Sequence, residues 1–320
     1  MPRELQTIEA ITRLVSLRPG VEVGIGDDAA VLTGEPPLLV VHDVVVEGTH
    51  FTRRTSSAGD IGHRALAVNL SDIAAMGGRP VAAVVGAVLP EDVPDSDVEA
   101  LYRSMESLAA RHGVTIAGGD LTRGPVVTIG VTIIGRMDEG IAPVLRSGAR
   151  PGDHIAVTGA LGAAAAGLEL LRDPRLDPGP TRDGLLIAQR RPTARVAEGA
   201  VLAAAGVHAM MDVSDGLALD ATRLAATSGV GLVIDLARVP RAPGVDTVAQ
   251  ALGRPPDAFA ATGGEDYELL LTGPPDLIAT LAARPGTPLT TIGEVTGGPP
   301  GLRLVRDGVD VTLERLGWEI

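Results

Sequence analysis

Seven aspartates stand where apolar sequence ends or is interrupted. They are Asp27 and Asp28 after Gly24-Ile25-Gly26, Asp43 inside Val40–Val46, Asp72 within Ala65–Met76, Asp120 after Gly118-Gly119, and Asp212 and Asp215 in Met211-Asp212-Val213-Ser214-Asp215-Gly216. One aspartate in such a place is most often a cap or a turn residue. Seven ask for a further explanation, because a buried carboxylate is costly unless it is paired or coordinates a metal. Asp43 interrupts a run of valines, and Asp72 sits among Ala, Leu, Val and Ile. Hard oxygen ligands of this kind suit Mg²⁺, which keeps part of its water shell and bridges to substrate phosphates. Ser214-Asp215-Gly216 precedes an apolar helical run, so its hydroxyl and free N–H groups suit an anion, with a plain Ser/Asp cap as the alternative. Arg146, before a glycine-rich loop, suits a polyphosphate, with a solvated surface arginine as the alternative.

Composition removes most rival chemistries. The chain has 320 residues, no lysine and no cysteine; its 27 basic residues are all arginine, and 40 acidic residues leave a formal net charge of −13. Without lysine there is no Walker-A loop, protein-kinase lysine or Schiff base. Without cysteine there is no disulfide framework, thiolate nucleophile or zinc-thiolate site. Any anionic ligand must be met by arginine, backbone N–H groups or carboxylate-held metal. No basic stripe points to nucleic acid. The longest stretch free of Asp, Glu and Arg, His154–Leu168, is too short for a span of about 20 residues. Residues 1–17 carry Arg3, Glu4, Glu9 and Arg13 and do not read as a secretory leader, so a cytoplasmic protein is expected.

The elements that must hold these groups follow from periodicity and punctuation. Apolar spacing predicts a helix over Glu4–Leu17, and β-branched runs predict strands over Leu38–Val46 and Val81–Leu89. Asp60 is expected to cap a helix running to Met76, and a second helix is expected over Asp97–His112. Strands Val114–Ala117 and Val126–Gly135 are expected to flank a turn at Gly118-Gly119-Asp120. The loop Ser147–Asp153 is a plausible junction, followed by strands at His154–Thr158, Ala209–Met211, Gly231–Leu236, Glu268–Thr272 and Leu289–Val295, with helices at Ala160–Leu171, Thr193–Ala205 and Leu217–Ser228. Interleaved strands and helices indicate an α/β chain with α+β layers. Aromatics are 2 % of residues, so the core must be built from Ala, Val, Leu and Ile.

Together these motifs resemble the thiamine-monophosphate kinase family of the aminoimidazole ribonucleotide synthetase superfamily. The matching pieces are Gly24–Ala30, Glu47–Phe51, Ala67–Gly77, Gly118–Gly124, Arg146–Ala149, Asp212–Gly216 and Gly263–Glu268, in the family's order across nearly the whole chain. The resemblance implies ATP-dependent phosphorylation of thiamine monophosphate to thiamine diphosphate, the last step in making that cofactor. It implies two domains, residues 1–146 for ATP, Mg²⁺ and dimerisation and residues 147–320 completing the nucleotide and thiamine phosphate sites, in a homodimer whose N-terminal sheets form a barrel. It implies several Mg²⁺ ions on Asp28, Asp43, Asp72, Asp120, Asp212 and Asp215, with Asp43, Asp72, Asp120 and Asp212 as the catalytic set. Tyr102, Gly119, Asp120, Arg146 and Ser214 match nucleotide positions, and His50, Glu265 and Trp318 match acceptor positions. His42 departs from the family, which usually has a hydroxyl residue before Asp43. Imidazole is a poor Mg²⁺ ligand, so His42 is not assigned to the metal. The alternatives are a sister enzyme with another acceptor and a catalytically silent nucleotide- and metal-binding scaffold.

Overall fold

The computed structural model describes residues 21–23, 27–34, 37–284, 286 and 288–318. The expected helix over Glu4–Leu17 and the glycines Gly24 and Gly26 lie outside the described residues. The N-terminal half builds a six-stranded sheet in the order β1-β2-β3-β6-β4-β5 from Val21–Val23 (β1), Ala30–Leu32 (β2), Leu38–Val46 (β3), Arg79–Leu89 (β4), Thr115–Arg123 (β5) and Thr128–Arg136 (β6). Only β4 and β5 pair in parallel; the other neighbours are antiparallel. Helices α1 (Ala58–Ala75) and α2 (Asp95–Arg111) cover one face. The sheet is open, and its other face presents Val44, Val81, Val84, Leu121 and Ile134 to solvent.

The C-terminal half builds a seven-stranded sheet in the order β13-β12-β9-β11-β7-β10-β8, with β7 His154–Thr158, β8 Ala209–Asp212, β9 Gly231–Asp235, β10 Leu269–Gly273, β11 Leu289–Thr296, β12 Gly301–Arg306 and β13 Val309–Val311. Its helices are α3 (Ala163–Arg172), α4 (Arg182–Arg190), α5 (Val196–Ala205), α6 (Leu217–Ser228), α7 (Val245–Ala251), α8 (Pro256–Thr262) and α9 (Pro275–Ala282). Ile155 and Val157 of β7 face a core confined to this half, whereas Ala156 belongs to a core that continues into the N-terminal half. That is why the central strands read as unbroken apolar runs: both faces are covered.

Helix α1 joins the halves. It packs on β3 and β6, on α2 and α5, and on β8, and nearly every residue from Ile61 to Ala75 is buried. The cap differs from expectation. Ser57 is the N-cap, and Asp60 stands three residues on, closing a capping box with the Ser57 backbone and hydroxyl. Small residues let the neighbours come close: a Cβ on Gly62 would lie 2.2 Å from the Leu101 carbonyl oxygen, and one on Gly199 2.1 Å from that of Ala74. A second correction concerns Gly118-Gly119-Asp120, which is no turn but the middle of β5. A Cβ on Gly119 would sit 1.9 Å from the Val85 carbonyl oxygen across the parallel pair, so the glycine serves close strand approach. Gly263-Gly264-Glu265, which echoes it in sequence, lies in a loop, so the two tripeptides are not structural counterparts.

Candidate active site

Three of the seven aspartates meet between the halves. Asp28 lies just before β2, Asp72 is in the last turn of α1, and Asp212 ends β8. Each offers a carboxylate oxygen, and these oxygens lie within 4.8 Å of one another. Burial first, then the charge of Asp212, pushes the Asp72 carboxyl well above the usual carboxylate range. Asp212 is raised likewise, by burial and then by Asp28, against a 2.6 Å hydrogen bond from the Ser71 hydroxyl. Carboxylates so placed repel one another and lack water to screen them, which is the environment a divalent cation relieves. The donor set, all carboxylate oxygen, fits Mg²⁺.

Arg146 reaches this cluster, but onto a carboxylate. Its guanidinium grips Asp28 in a two-pronged pair, Nε to Oδ2 and Nη2 to Oδ1, both at 2.8 Å. Burial opposes its charge, yet Asp28, Asp212 and Asp27 outweigh burial and hold it protonated. Its backbone N–H donates to Asp27, whose carboxyl is pushed up to about 6, by burial first and Asp28 second.

Asp43 is set by the sheet. Strand β2 pairs with β3 as far as Val40, and among the described residues no strand pairs with that edge of β3 beyond it. The Asp43 N–H instead donates to Asn69 Oδ1 on α1 at 2.8 Å, and Asn69 Nδ2 donates to the Ala65 carbonyl. Strand alternation puts Asp43 on the inner face with Leu39, Val41 and Val45. The residue keeps an exposed edge, yet the protein around its carboxyl raises it, His50 and His42 pull it down, and Asp215 and Asp28 push it up. The same alternation turns His42 to the outer face, where its Nδ1 pairs with Thr132 Oγ1 at 2.9 Å. The departure at His42 therefore does not put an imidazole into the carboxylate cluster.

The Ser214-Asp215-Gly216 turn also corrects an expectation. Its three N–H groups are not free; all donate to one oxygen of Asp220 at 3.1 Å each. Arg223 bridges Asp220 and Asp215. Asp220, fully buried, is pushed up to about 7 by burial first and Asp215 second. Sequence reading missed it because an aspartate inside a helix gives no signal of what it faces.

Of the acceptor candidates, Glu265 and Trp318 meet at the Ser214-Asp215 turn, whereas His50 lies just after β3. Glu265 and Tyr267 both have positive φ, 66° and 52°, which non-glycine residues rarely adopt. Backbone bonds hold that shape: Glu265 N–H to the Ser214 carbonyl at 2.7 Å, and Tyr267 N–H to that of Val213 at 2.9 Å. Buried Asp266 accepts the N–H groups of Gly162 and Ala164 at the start of α3 and is pushed up to about 7 by that burial. Glu265 pairs with Arg64 of α1, itself buried and also bonded to the Gln189 carbonyl. Trp318 is 49 % exposed, and its N–H holds the Asp215 carbonyl at 2.8 Å. His50 Nδ1 accepts the Val46 N–H at 3.0 Å, which leaves Nε2 as the donor of the neutral ring.

Three candidates stand apart from the triad. Tyr102 lies on α2, half-buried against the core, with its hydroxyl raised by burial, and Gly119 and Asp120 lie on the exposed edge strand β5.

Comparison with known proteins decides the family. The description AIR synthase related protein matches residues 26–137 with its N-terminal domain and residues 150–304 with its C-terminal domain. Thiamine-monophosphate kinase of Salmonella typhimurium is 38 % identical over 319 residues, 96 % of this chain and 94 % of that protein. That of Mycobacterium tuberculosis is 38 % identical over 324 residues, 99 % of this chain and 92 % of its own. The chain belongs to the thiamine-monophosphate kinase family. Among solved structures, "AaThiL complexed with AMPPCP and TMP" superposes with a TM-score of 0.88 at 33 % identity, over 99 % of this chain and 96 % of that one. The two-domain AIR-synthase-like α/β fold is thus shared with thiamine-monophosphate kinases. The hydrogenase maturation protein HypE in complex with ATP, at 23 % identity and a TM-score of 0.69, covers 90 % of this chain and 89 % of its own and shares the fold alone. Among the described residues no helix is long and apolar enough to cross a membrane.

Proposed function

We propose that this chain transfers the γ-phosphoryl group of ATP to thiamine monophosphate, giving ADP and thiamine diphosphate. One observation carries the reading: Asp28, Asp72 and Asp212 converge in a chain that matches thiamine-monophosphate kinases over nearly its full length. The silent-scaffold alternative gives no reason to keep two buried carboxylates and a half-buried third in mutual repulsion.

The acceptor phosphate has a second pKa near 6, so near neutral pH it is largely dianionic and needs little general-base help. One of its oxygens attacks the γ-phosphorus, the bond to the β–γ bridging oxygen breaks, and ADP leaves with that oxygen's charge. The chemistry is direct and in line, with no phosphorylated residue. Repulsion between two polyanions is the main obstacle. Mg²⁺, held by Asp28, Asp43, Asp72, Asp212 and Asp215 with Asp120 as a sixth carboxylate, supplies charge neutralisation and phosphate alignment when bound. Ser71 fixes the Asp212 carboxylate, Asn69 fixes the backbone under Asp43, and Arg146 holds both oxygens of Asp28, at least one of which it must release when a cation binds there. His50 Nε2–H is a donor for the acceptor phosphate, Glu265 faces the thiazolium charge, and the indole of Trp318 is a surface for the cationic ring. Tyr102, Gly119, Arg146 and Ser214 serve the nucleotide in this reading.

We assign residues 1–146 to nucleotide and metal binding and dimerisation, and residues 147–320 to completing both substrate sites. The open apolar face of the six-stranded sheet supports a homodimer in which two such sheets close into a barrel. A biosynthetic kinase drawing on ATP belongs in the cytoplasm. Incubation of purified protein with Mg-ATP and thiamine monophosphate tests the reading. ADP and thiamine diphosphate are expected in equal amounts, with no label on the protein from γ-labelled ATP. Absence of thiamine diphosphate overturns the acceptor assignment, and a labelled chain overturns direct transfer.

A further inference from the structure

Arg223 touches two carboxylates with one nitrogen. Its Nη1 donates to Asp215 Oδ2 and, at 3.0 Å, to Asp220 Oδ1. The two acceptors differ. The Asp220 side chain is inaccessible to solvent, while that of Asp215 is 29 % exposed and its charge acts on Asp43. Asp220 also cannot move, because its other oxygen is fixed by the N–H groups of Ser214, Asp215 and Gly216. The turn itself is clamped: Ser214 and Asp215 give their carbonyls to the N–H groups of Glu265 and Trp318. The backbone is thus rigid, and the partner of the Asp215 carboxylate is what can change.

We propose that Arg223 occupies Asp215 in place of a divalent cation, and that Asp220 is the carboxylate that keeps the guanidinium when a cation takes Asp215. This rests on reading Asp215 as a Mg²⁺ ligand. The guanidinium lies on Asp215 Oδ2, so a cation on that carboxylate competes with it for the Oδ2 lone pairs and is repelled by its charge even from the other oxygen. The exchange needs no long movement, since Nη1 already touches Asp220 and the Arg223 side chain is 18 % exposed. An equilibrium of this kind lowers the apparent metal affinity by the fraction of molecules in which Asp215 is free. Arg223 is therefore a positioning residue that sets how much Mg²⁺ the site demands, and Asp220 sets how readily it lets go.

Calorimetric titration of the metal-free full chain with Mg²⁺ alone reads this without turnover. Arg223→Gln removes the competitor and should tighten Mg²⁺ binding by about two- to fivefold, the worth of a partly exposed ion pair. Asp220→Asn weakens the second seat, leaves the guanidinium on Asp215 and should loosen binding by a similar factor. The double variant Asp220→Asn/Arg223→Gln should return to the tighter value of Arg223→Gln. Binding by Arg223→Gln that is unchanged or weaker overturns the proposal, as does a double variant as weak as Asp220→Asn. If Asp220→Asn does not fold, Arg223→Gln alone decides. Wild-type protein that takes up no Mg²⁺ removes this proposal and the metal reading together, whereas wild-type binding without tightening in Arg223→Gln removes this proposal only.

Discussion

Asp72, a metal ligand in the proposed reaction, is costly to the fold. Its carboxyl is raised by burial and by its acidic neighbours, so the folded chain pays for the charge it keeps there. Asp72→Asn should lower kcat by at least ~10²-fold, the scale of losing one preorganised electrostatic group. It should also raise the melting temperature of metal-free protein near pH 8; a normal kcat, or a lower melting temperature, contradicts this. Asp27 gives the pH dependence. Its folded value is about 6 against an ordinary 3.8, so the folded state holds the proton more tightly than the unfolded one. Below about pH 4 both states are protonated and the contribution is fully present; as pH rises toward and through 6 it is lost. Thermal melts of metal-free protein should therefore show Asp27→Asn gaining on wild type between pH 4 and 7 and keeping a constant lead above. Trp318→Ala should raise the KM for thiamine monophosphate about three- to thirtyfold, as a cation–π contact of ~0.5–2 kcal/mol implies, with little change for ATP. An equal rise in both would make the tryptophan a packing residue. The aspartates themselves were legible, because charge inside apolar sequence demands a reason. The groups that hold them were not: Asn69, Ser71 and Asp220, like Arg64 on Glu265, acquire meaning only from contacts made in the folded chain.

Elements were readable where the pattern was long. Leu38–Val46 is a strand as its β-branched run predicts, and Leu217–Ser228 a helix as its apolar spacing predicts. The misreadings have physical causes. Glycines in β5 look like a turn in sequence, but they are there because a parallel neighbour leaves no room for a Cβ. The helix Arg182–Arg190 and the short helices α7, α8 and α9 span only two to three turns, too few for periodicity to stand out. The capping box was misassigned by three residues, since both Ser57 and Asp60 are good cap types. The tight crossing of α1 and α2 was invisible in sequence and makes its own prediction. Gly62→Ala would place a methyl 2.2 Å from a backbone oxygen and should destabilise by ~1–3 kcal/mol, read as a lower urea midpoint with an unchanged slope.

At the scale of the molecule, the two sheets are unequal. The C-terminal sheet is buried on both faces at β7 and β10, while one face of the N-terminal sheet leaves Val44, Val84, Leu121 and Ile134 exposed, with no helix or strand over it among the described residues. Val84 is 44 % exposed in the middle of that face. Val84→Arg should leave a folded monomer by light scattering, with kcat reduced if the closed barrel supports the site; a variant that still dimerises moves the interface elsewhere. Between the sheets runs α1, and it carries functional groups at two heights. Arg64, which holds Glu265, and Asp72, in the carboxylate triad, are eight residues apart on one rigid helix. At ~1.5 Å per residue that separation is about 12 Å along the axis. With Glu265 as the proposed acceptor contact and Asp72 as a proposed metal ligand, the helix would work as a gauge, fixing the length between the acceptor's ring and its reacting phosphate. An acceptor whose phosphate hangs from a shorter or longer tether would seat at one end and miss the other, so selectivity would come from measured reach as much as from local fit.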